Sequence, residues 1–473
     1  MQKKWLLVLV SSLLIMALAA CSSNTGNTTT GDSGKSGNSS SPSSSSGSSG
    51  TKTKIVYWTP DRHDAEFMKG KVDQFNKTNT DNIEVEMSVM GDNYPQAVDI
   101  AFASQQAPDV LQIDDFETYV KKGYLAPIND YMSDEMKKTF ESVIIEHKNE
   151  IDGKIYTLPN TGQTWRLIYN VDLFKRAGIA NPPTTLDELV EDAKLITDLG
   201  KAEGIYGFAS PLKGSSGFGR PGNTVAPAST TTGVDGYNYV TGEFDFGMYK
   251  DIALAMRKMV ESGSMMPGVE SLDIDPLRAQ FAQGKIGMYF NHSGEPGVYK
   301  GQFPTTINWA AAQPPTQSGQ ISGASQVIGG SYIGINANSA NKDAAWKFMN
   351  YIYSVDLQTE YFEQGYGVSL IPTVLANAKK PEIPGIAGFL PKKYDAIYPA
   401  NPMSATESQV EGSKWAESFV KFVMVGGDVG QTITDLNTRY NTALKQARDS
   451  GLTTIEADPS FNSLNLQGKL SNE

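Results

Sequence analysis

Ile55-Val56-Tyr57-Trp58 is a short apolar strand, and the residues that follow it set up a rhythm that decides the fold. Ala65, Met68, Val72 and Phe75 recur at helical spacing, after which Ile83, Val85, Met87 and Val89 alternate with Glu84, Glu86 and Ser88 at period two. A second helical face carries Tyr94, Ala97, Val98, Ala101 and Phe102, and Val110-Leu111-Gln112-Ile113 reads as a third strand. The order is β-α-β-α-β. Such a unit builds a mostly parallel sheet, and the loops at the carboxyl ends of its strands are placed to hold a ligand.

The rhythm continues further along the chain. Thr185 and Glu188 form a capping box just after Pro182-Pro183, and Leu186, Leu189, Val190, Ala193 and Ile196 fall on one helical face. Ile286 to Phe290 and Tyr332 to Ile335 read as strands, and Asn341 precedes a helix whose Ala345, Phe348, Met349 and Ile352 share a face. Between them, Pro211 to Gly242 is crowded with Gly, Pro, Ser and Thr and reads as a functional loop region. No internal repeat is visible. The part expected to fold is roughly 420 residues, too many for one ordinary core, so two α/β lobes are expected.

Outward toward the amino terminus the composition changes. Met1-Gln2-Lys3-Lys4 is a basic leader, Trp5 to Ala20 is apolar apart from Ser11 and Ser12, and Leu18-Ala19-Ala20-Cys21 closes the run. Small residues before the single cysteine of the chain make residues 1–20 a lipoprotein signal peptide and Cys21 the site of lipidation. The apolar run is shorter than the ~20 residues that span a bilayer. Residues 21–52 are the lipidated Cys21 and a Ser/Gly/Thr tether too polar to bury a core, which holds the folded part roughly 30 Å from the membrane. Membrane association is expected through that lipid anchor alone, and Ser22 after the lipid cysteine together with the long polar tether suits a Gram-positive surface.

Charge and composition exclude several classes. A net charge of −12 disfavours nucleic acid and anionic lipid as partners. His63, His147 and His292 are too scattered in sequence for a metal cluster, and with Cys21 spent on lipid no disulfide is available. Neither metal nor cofactor is expected. No Gly-x-Ser-x-Gly elbow, His-Glu-x-x-His motif or Walker loop is present in the sequence. A surface enzyme acting on polysaccharide, a glycoside hydrolase or lyase, stays open as the alternative, because paired carboxylates abound in any acidic chain. A β-rich adhesin is contradicted by the alternating helices.

Six segments, in order, are similar to the extracellular solute-binding proteins of family 1, the carbohydrate-type receptors of ABC importers. They are Pro108 to Ile128, Gly153-Lys154-Ile155-Tyr156-Thr157-Leu158-Pro159, Tyr169 to Phe174, Pro183 to Leu189, Phe281 to Met288, and Gly329 to Asn336 with Ala344 to Phe348. The resemblance implies a type II, two-lobed periplasmic-binding-protein-like α/β fold with a ligand cleft between lobes and a multi-segment hinge. Lobe 1 would comprise 53–162 and 326–371, and lobe 2 would comprise 163–325 and 372–473. Pro159 and Gly162 independently bracket a break near Asn160 to Gln163, where the first crossing is expected. The resemblance also implies a carbohydrate or related polar solute, a pair of permease subunits with a cytoplasmic ATPase, and a monomeric receptor.

Sugar sites combine aromatic rings for CH faces with planar polar groups for hydroxyl pairs. In the loop from which the family commonly draws contacts, Trp58, Asp61 and Arg62 are the first candidates, with His63 beside them. Their plainer reading makes Trp58 core and Asp64 a helix cap. Asp114, or Asp115 one position on, follows the third strand; its plainer reading is a cap for the helix near Phe116. Trp165 and Tyr169 lie just past the crossing. Asn291, His292 and Glu295 stand where related receptors often carry an aromatic turn, and imply a polar wall. Gly330, Tyr332 and Tyr366 are either contacts or hinge geometry.

Overall fold

The computed structural model describes residues 52–91, 93–214, 217–467 and 470; the signal peptide, Cys21 and nearly all of the tether lie outside the described residues. No helix among the described residues is long and apolar enough to cross a membrane. The first lobe is built on β1 (Thr53–Thr59), β2 (Ile83–Val89) and β3 (Val110–Gln112), all parallel, with β1 central. A later strand returns to pair antiparallel with β3, giving a four-stranded sheet. Alternation along β1 buries Ile55 and Tyr57 completely against Val72, Phe75 and Phe348 of the covering helices. The helices Ala65–Thr78 and Tyr94–Ala103 that join these strands follow the expected apolar faces.

The second lobe is organised around the long strand β4 (Thr161–Asn170). Its outer half, Trp165 to Tyr169, pairs antiparallel with β6 (Ile286–His292), which is parallel to β5 (Tyr206–Phe208); β7 (Trp309–Ala312) pairs along the other edge of β4. Leu167, Ile168, Phe208, Met288 and Phe290 lie in a large core shared with Phe218, Tyr249, Trp415 and Phe419. The helix Leu186–Gly200 packs against this sheet, started by the reciprocal Thr185–Glu188 cap.

The inner end of β4 belongs to the hinge. Thr161 to Thr164 are bracketed by β8 (Ser325–Gly329), itself paired with a short strand at Asp395–Ala396, and by β10 (Val368–Ser369), so three chain segments cross side by side. Beyond Gly329 the chain re-enters the first sheet as β9 (Ile333–Ile335). Gly329 and Gly330 have φ of 146° and 116°, and a Cβ at Gly329 would lie 2.5 Å from the Thr161 carbonyl. Only glycine fits two backbones this close at such a φ.

Two expectations need correction. Pro211 to Gly242 is not loop throughout: it contains the helix Gly219–Ser229, with Pro227 inside it, and a hairpin of Gly233–Val234 and Tyr237–Asn238. Small residues pack here where a bulkier helix would not fit, since a Cβ on Gly222 would sit 3.0 Å from Phe218 and 3.1 Å from Tyr249. The expected boundary at 372 also shifts, because the helix Pro372–Asn377 packs on the helices Asp134–Phe140 and Val355–Glu363, and Val374 joins the first-lobe core.

Candidate functional site

The chain beyond β1 is held by side-chain bonds at the carboxyl ends of the first-lobe strands. The Thr59 hydroxyl donates to Gln112 Oε1 at 2.6 Å, and Gln112 Nε2 donates to Asp61 Oδ2 at 2.9 Å, so the ends of β1 and β3 hold Asp61 between them. Tyr361 donates its hydroxyl to Asp64 Oδ2 at 2.9 Å and lies 3.2 Å from His63 Nε2. Asp64 is therefore no side-chain cap: it is 2% exposed, and its Oδ1 has no partner. Asp61, His63 and Asp64 bring their ligating atoms within 4.8 Å of one another, a grouping that a search for clustered histidines misses. Arg62 places its guanidinium against Gly91. Trp58 packs half-buried on the cluster of Tyr94, Val98, Leu111 and Phe116, which is its plainer reading.

On the second lobe, strand register assembles a cluster around Trp165 and His292. Trp165 on β4 and His292 on β6 are direct cross-strand partners, with ring centroids 5.4 Å apart and edge to face. Arg220, from the helix Gly219–Ser229, lies 5.9 Å above the Trp165 ring and donates Nη1 to Asn291 Oδ1 at 2.7 Å. Asn291 donates in turn to Glu295 Oε1 at 2.8 Å, and Glu295 also receives Arg278 Nε at 3.0 Å and the Tyr289 hydroxyl at 2.6 Å. Asn291 and Glu295 are both fully buried, so the expectation that they form an exposed polar wall is corrected. Burial, then the charges of Arg220, Arg278 and His63, hold His292 well below the usual imidazole range.

The remaining aromatic candidates take packing roles. Tyr169 lies 4.9 Å from Phe174, Tyr332 is 6% exposed in the first-lobe core with its hydroxyl 3.5 Å from that of Tyr57, and Tyr366 lies 5.0 Å from Phe67. The Gly330 carbonyl accepts from Asn149, a hinge contact.

Between the lobes lies a cavity of about 610 Å³, within the ~300–1,000 Å³ range of small-molecule sites. Its first-lobe side includes Asp114, Asp115 and Lys148, and its far side includes Asp235, Gln326 and Asn401. Asp114 is exposed to it, and burial followed by the neighbouring Asp115 raises its carboxyl above the ordinary range. Asp115 instead caps the helix Phe116–Lys121 through Thr118 N at 3.0 Å and accepts the Ser404 hydroxyl from across the cleft. Lys148 donates Nζ to the Tyr398 carbonyl at 2.5 Å; burial pulls its pKa down to about 8 against the opposing charge of Asp235. Asp235 accepts from Asn401 at 2.9 Å and Gln326 at 3.3 Å. Gln112, Lys148, Arg220, Asp235, Gln326 and Asn401 were not anticipated from sequence. Only Asp235 had a local signal, an Asp-Gly turn with φ of 53°.

The arrangement suits reversible capture of a hydroxylated solute by polar walls on two bodies. A Brucella abortus protein named only as a binding protein is 30% identical over 243 residues, 51% of this chain and 57% of that one, so the match spans little more than half of that relative. The maltotriose-binding protein of Pyrococcus abyssi is 24% identical over 325 residues and 67% of each chain. An ABC transporter solute-binding protein of Thermotoga lettingae, solved with alpha-D-tagatose, superposes with a TM-score of 0.65 at 20% identity, over 83% of this chain and 100% of that one. A maltose-bound Thermotoga maritima protein gives 0.64 at 20% identity, over 84% and 100%. These likenesses fix the architecture as the two-lobed type II periplasmic-binding fold. With residues 59–359 matching the family's model, the chain belongs to the bacterial extracellular solute-binding proteins.

Proposed function

We propose that this protein is a membrane-anchored receptor that binds a sugar or oligosaccharide in its interlobe cleft, closes over it by hinge motion and delivers it to an ABC importer. The importer consists of a pair of permease subunits and a cytoplasmic ATPase. The observation that carries the reading is the 610 Å³ cavity whose polar walls come from both lobes across three hinge segments, since closing such a cleft buries a small polar ligand from two sides. The maltotriose-binding relative and the tagatose- and maltose-bound neighbours support a saccharide. Capture without reaction needs neither metal nor cofactor, and one chain supplies both walls, so the receptor works as a monomer.

Calorimetric titration with neutral and uronate-containing mono- to tetrasaccharides should find a ligand that is recovered unaltered. Small-angle scattering should show a smaller radius of gyration at saturation. Release of shortened product, or failure of every saccharide to bind, would overturn the receptor reading. The anchor rests on the leader and on the single cysteine, Cys21. Cys21→Ser should release the protein into the medium with its affinity unchanged; retention on the membrane would overturn the anchor.

A further inference from the structure

Three neighbouring side chains of the second lobe hold hydrogen-bond donors that no acceptor among the described residues receives. Gly294 donates its backbone N–H to His292 Nδ1 at 3.1 Å, so Nδ1 is the acceptor nitrogen and the ring's one proton sits on Nε2. No side chain or carbonyl of the described residues receives that Nε2–H. Trp165 Nε1, a donor only, is buried without a partner. Arg220 spends one Nη1–H on Asn291, and its remaining guanidinium protons have no acceptor among the described residues. These three groups are contiguous, since the Trp165 ring is in contact with His292 on one side and under Arg220 on the other.

Charge makes the same point. Arg220 feels Glu295, but that carboxylate is already held by Arg278, with Nη2 at 2.5 Å, and among the described residues Arg220 forms no ion pair of its own. Burial disfavours its charge, and buried charges in proteins are ordinarily paired. His292 supplies no counter-charge, because an imidazole is either neutral or cationic. On the first-lobe side the carboxyl of Asp114 lines the interlobe cavity and can accept from hydroxyls.

Resting on the reading that this cleft is the solute site, we infer that Arg220, Trp165 Nε1 and His292 Nε2 form a subsite for an anionic group of the solute, so that the receptor takes an acidic saccharide. Its hydroxyls face the first lobe and its anion faces the second. The anion is a carboxylate, as in a uronic acid, or a phosphate ester. Guanidinium groups match both through paired N–H donors.

Calorimetry with four probes tests this: a digalacturonate, the neutral disaccharide of galactose with the same linkage, galactose 1-phosphate and free galactose. Wild type should bind one anionic probe at least tenfold more tightly than its neutral counterpart, and the preferred probe names the anion. Arg220→Gln should lose at least tenfold toward that probe and little toward the neutral sugars. Trp165→Phe, which keeps a ring and removes one donor, should lose about threefold, again for the anionic probe only. Equal or tighter binding of the neutral probes by wild type, or an Arg220→Gln protein with a native melt and unchanged selectivity, would overturn the subsite and leave the receptor standing. Failure of all four probes, together with the wider saccharide panel, would overturn the receptor reading and the subsite with it.

Discussion

Asp395→Ala should destabilise the protein by about 3–5 kcal/mol, read by urea denaturation. Asp395 and Arg166 are both fully buried and joined by two parallel bonds, Nη1 to Oδ1 at 3.0 Å and Nη2 to Oδ2 at 2.5 Å. Arg166 also donates to the Gly388 carbonyl at 2.9 Å and to the Trp165 carbonyl at 2.9 Å, and Tyr394 lies 5.3 Å from its guanidinium carbon. Removing the carboxylate leaves a guanidinium with no route to water. Replacing both partners, Arg166→Met with Asp395→Leu, should restore most of the loss, because the cost lies in the unpaired charge more than in any net worth of the pair. A single Asp395→Ala within about 1 kcal/mol of wild type would show that the pair is not sealed from solvent. Arg166 is the residue next to Trp165 on β4, so this pair also ties the hinge-side strand to Asp395, and Asp395→Ala should weaken solute binding alongside stability.

Sequence pattern revealed what is local. The Glu84/Glu86 alternation located β2 to the residue, and the Thr185–Glu188 spacing located a helix start, because each is written in a handful of neighbouring side chains. The helix Gly219–Ser229 was hidden because Gly-Arg-Pro-Gly-Asn-Thr has poor intrinsic helix propensity, and only burial against Phe218 and Tyr249 selects it. Arg220, which that helix sets over the Trp165 ring, was hidden with it. Asp395 gave no sign of its partner across 229 residues. Trp58 shows a different limit: its position beside a ligand loop invites stacking, but alternation along β1 turns its ring onto the helix Tyr94–Ala103. Glu295 and Asn291 were expected to be exposed and are buried, because sequence shows which residues share a turn and not which of them the turn buries.

Asp114→Asn should weaken solute binding by about 1–3 kcal/mol, roughly 5- to 150-fold, while leaving the melting temperature unchanged or slightly raised. The two halves of that expectation come from one geometry. Asp114 is exposed to the interlobe cavity and is free to accept from sugar hydroxyls, and the helix cap that competed for its role belongs to Asp115. Its carboxyl is raised first by burial and then by Asp115, so in the ligand-free protein the ionised form is disfavoured. The sign follows: with a folded pKa above the unfolded value, the folded state holds the proton more tightly, and ionising Asp114 costs stability as pH rises through that window. A neutral asparagine removes that cost. The same raised pKa makes affinity fall in wild type as pH drops toward the acid range and the carboxylate is lost, a dependence that Asp114→Asn should abolish. Asp115→Ala should behave in the opposite way, lowering the melting temperature through the lost cap and the lost contact with Ser404. Calorimetry and thermal melts of the two variants separate the roles, and an Asp114→Asn protein with wild-type affinity would remove Asp114 from the site.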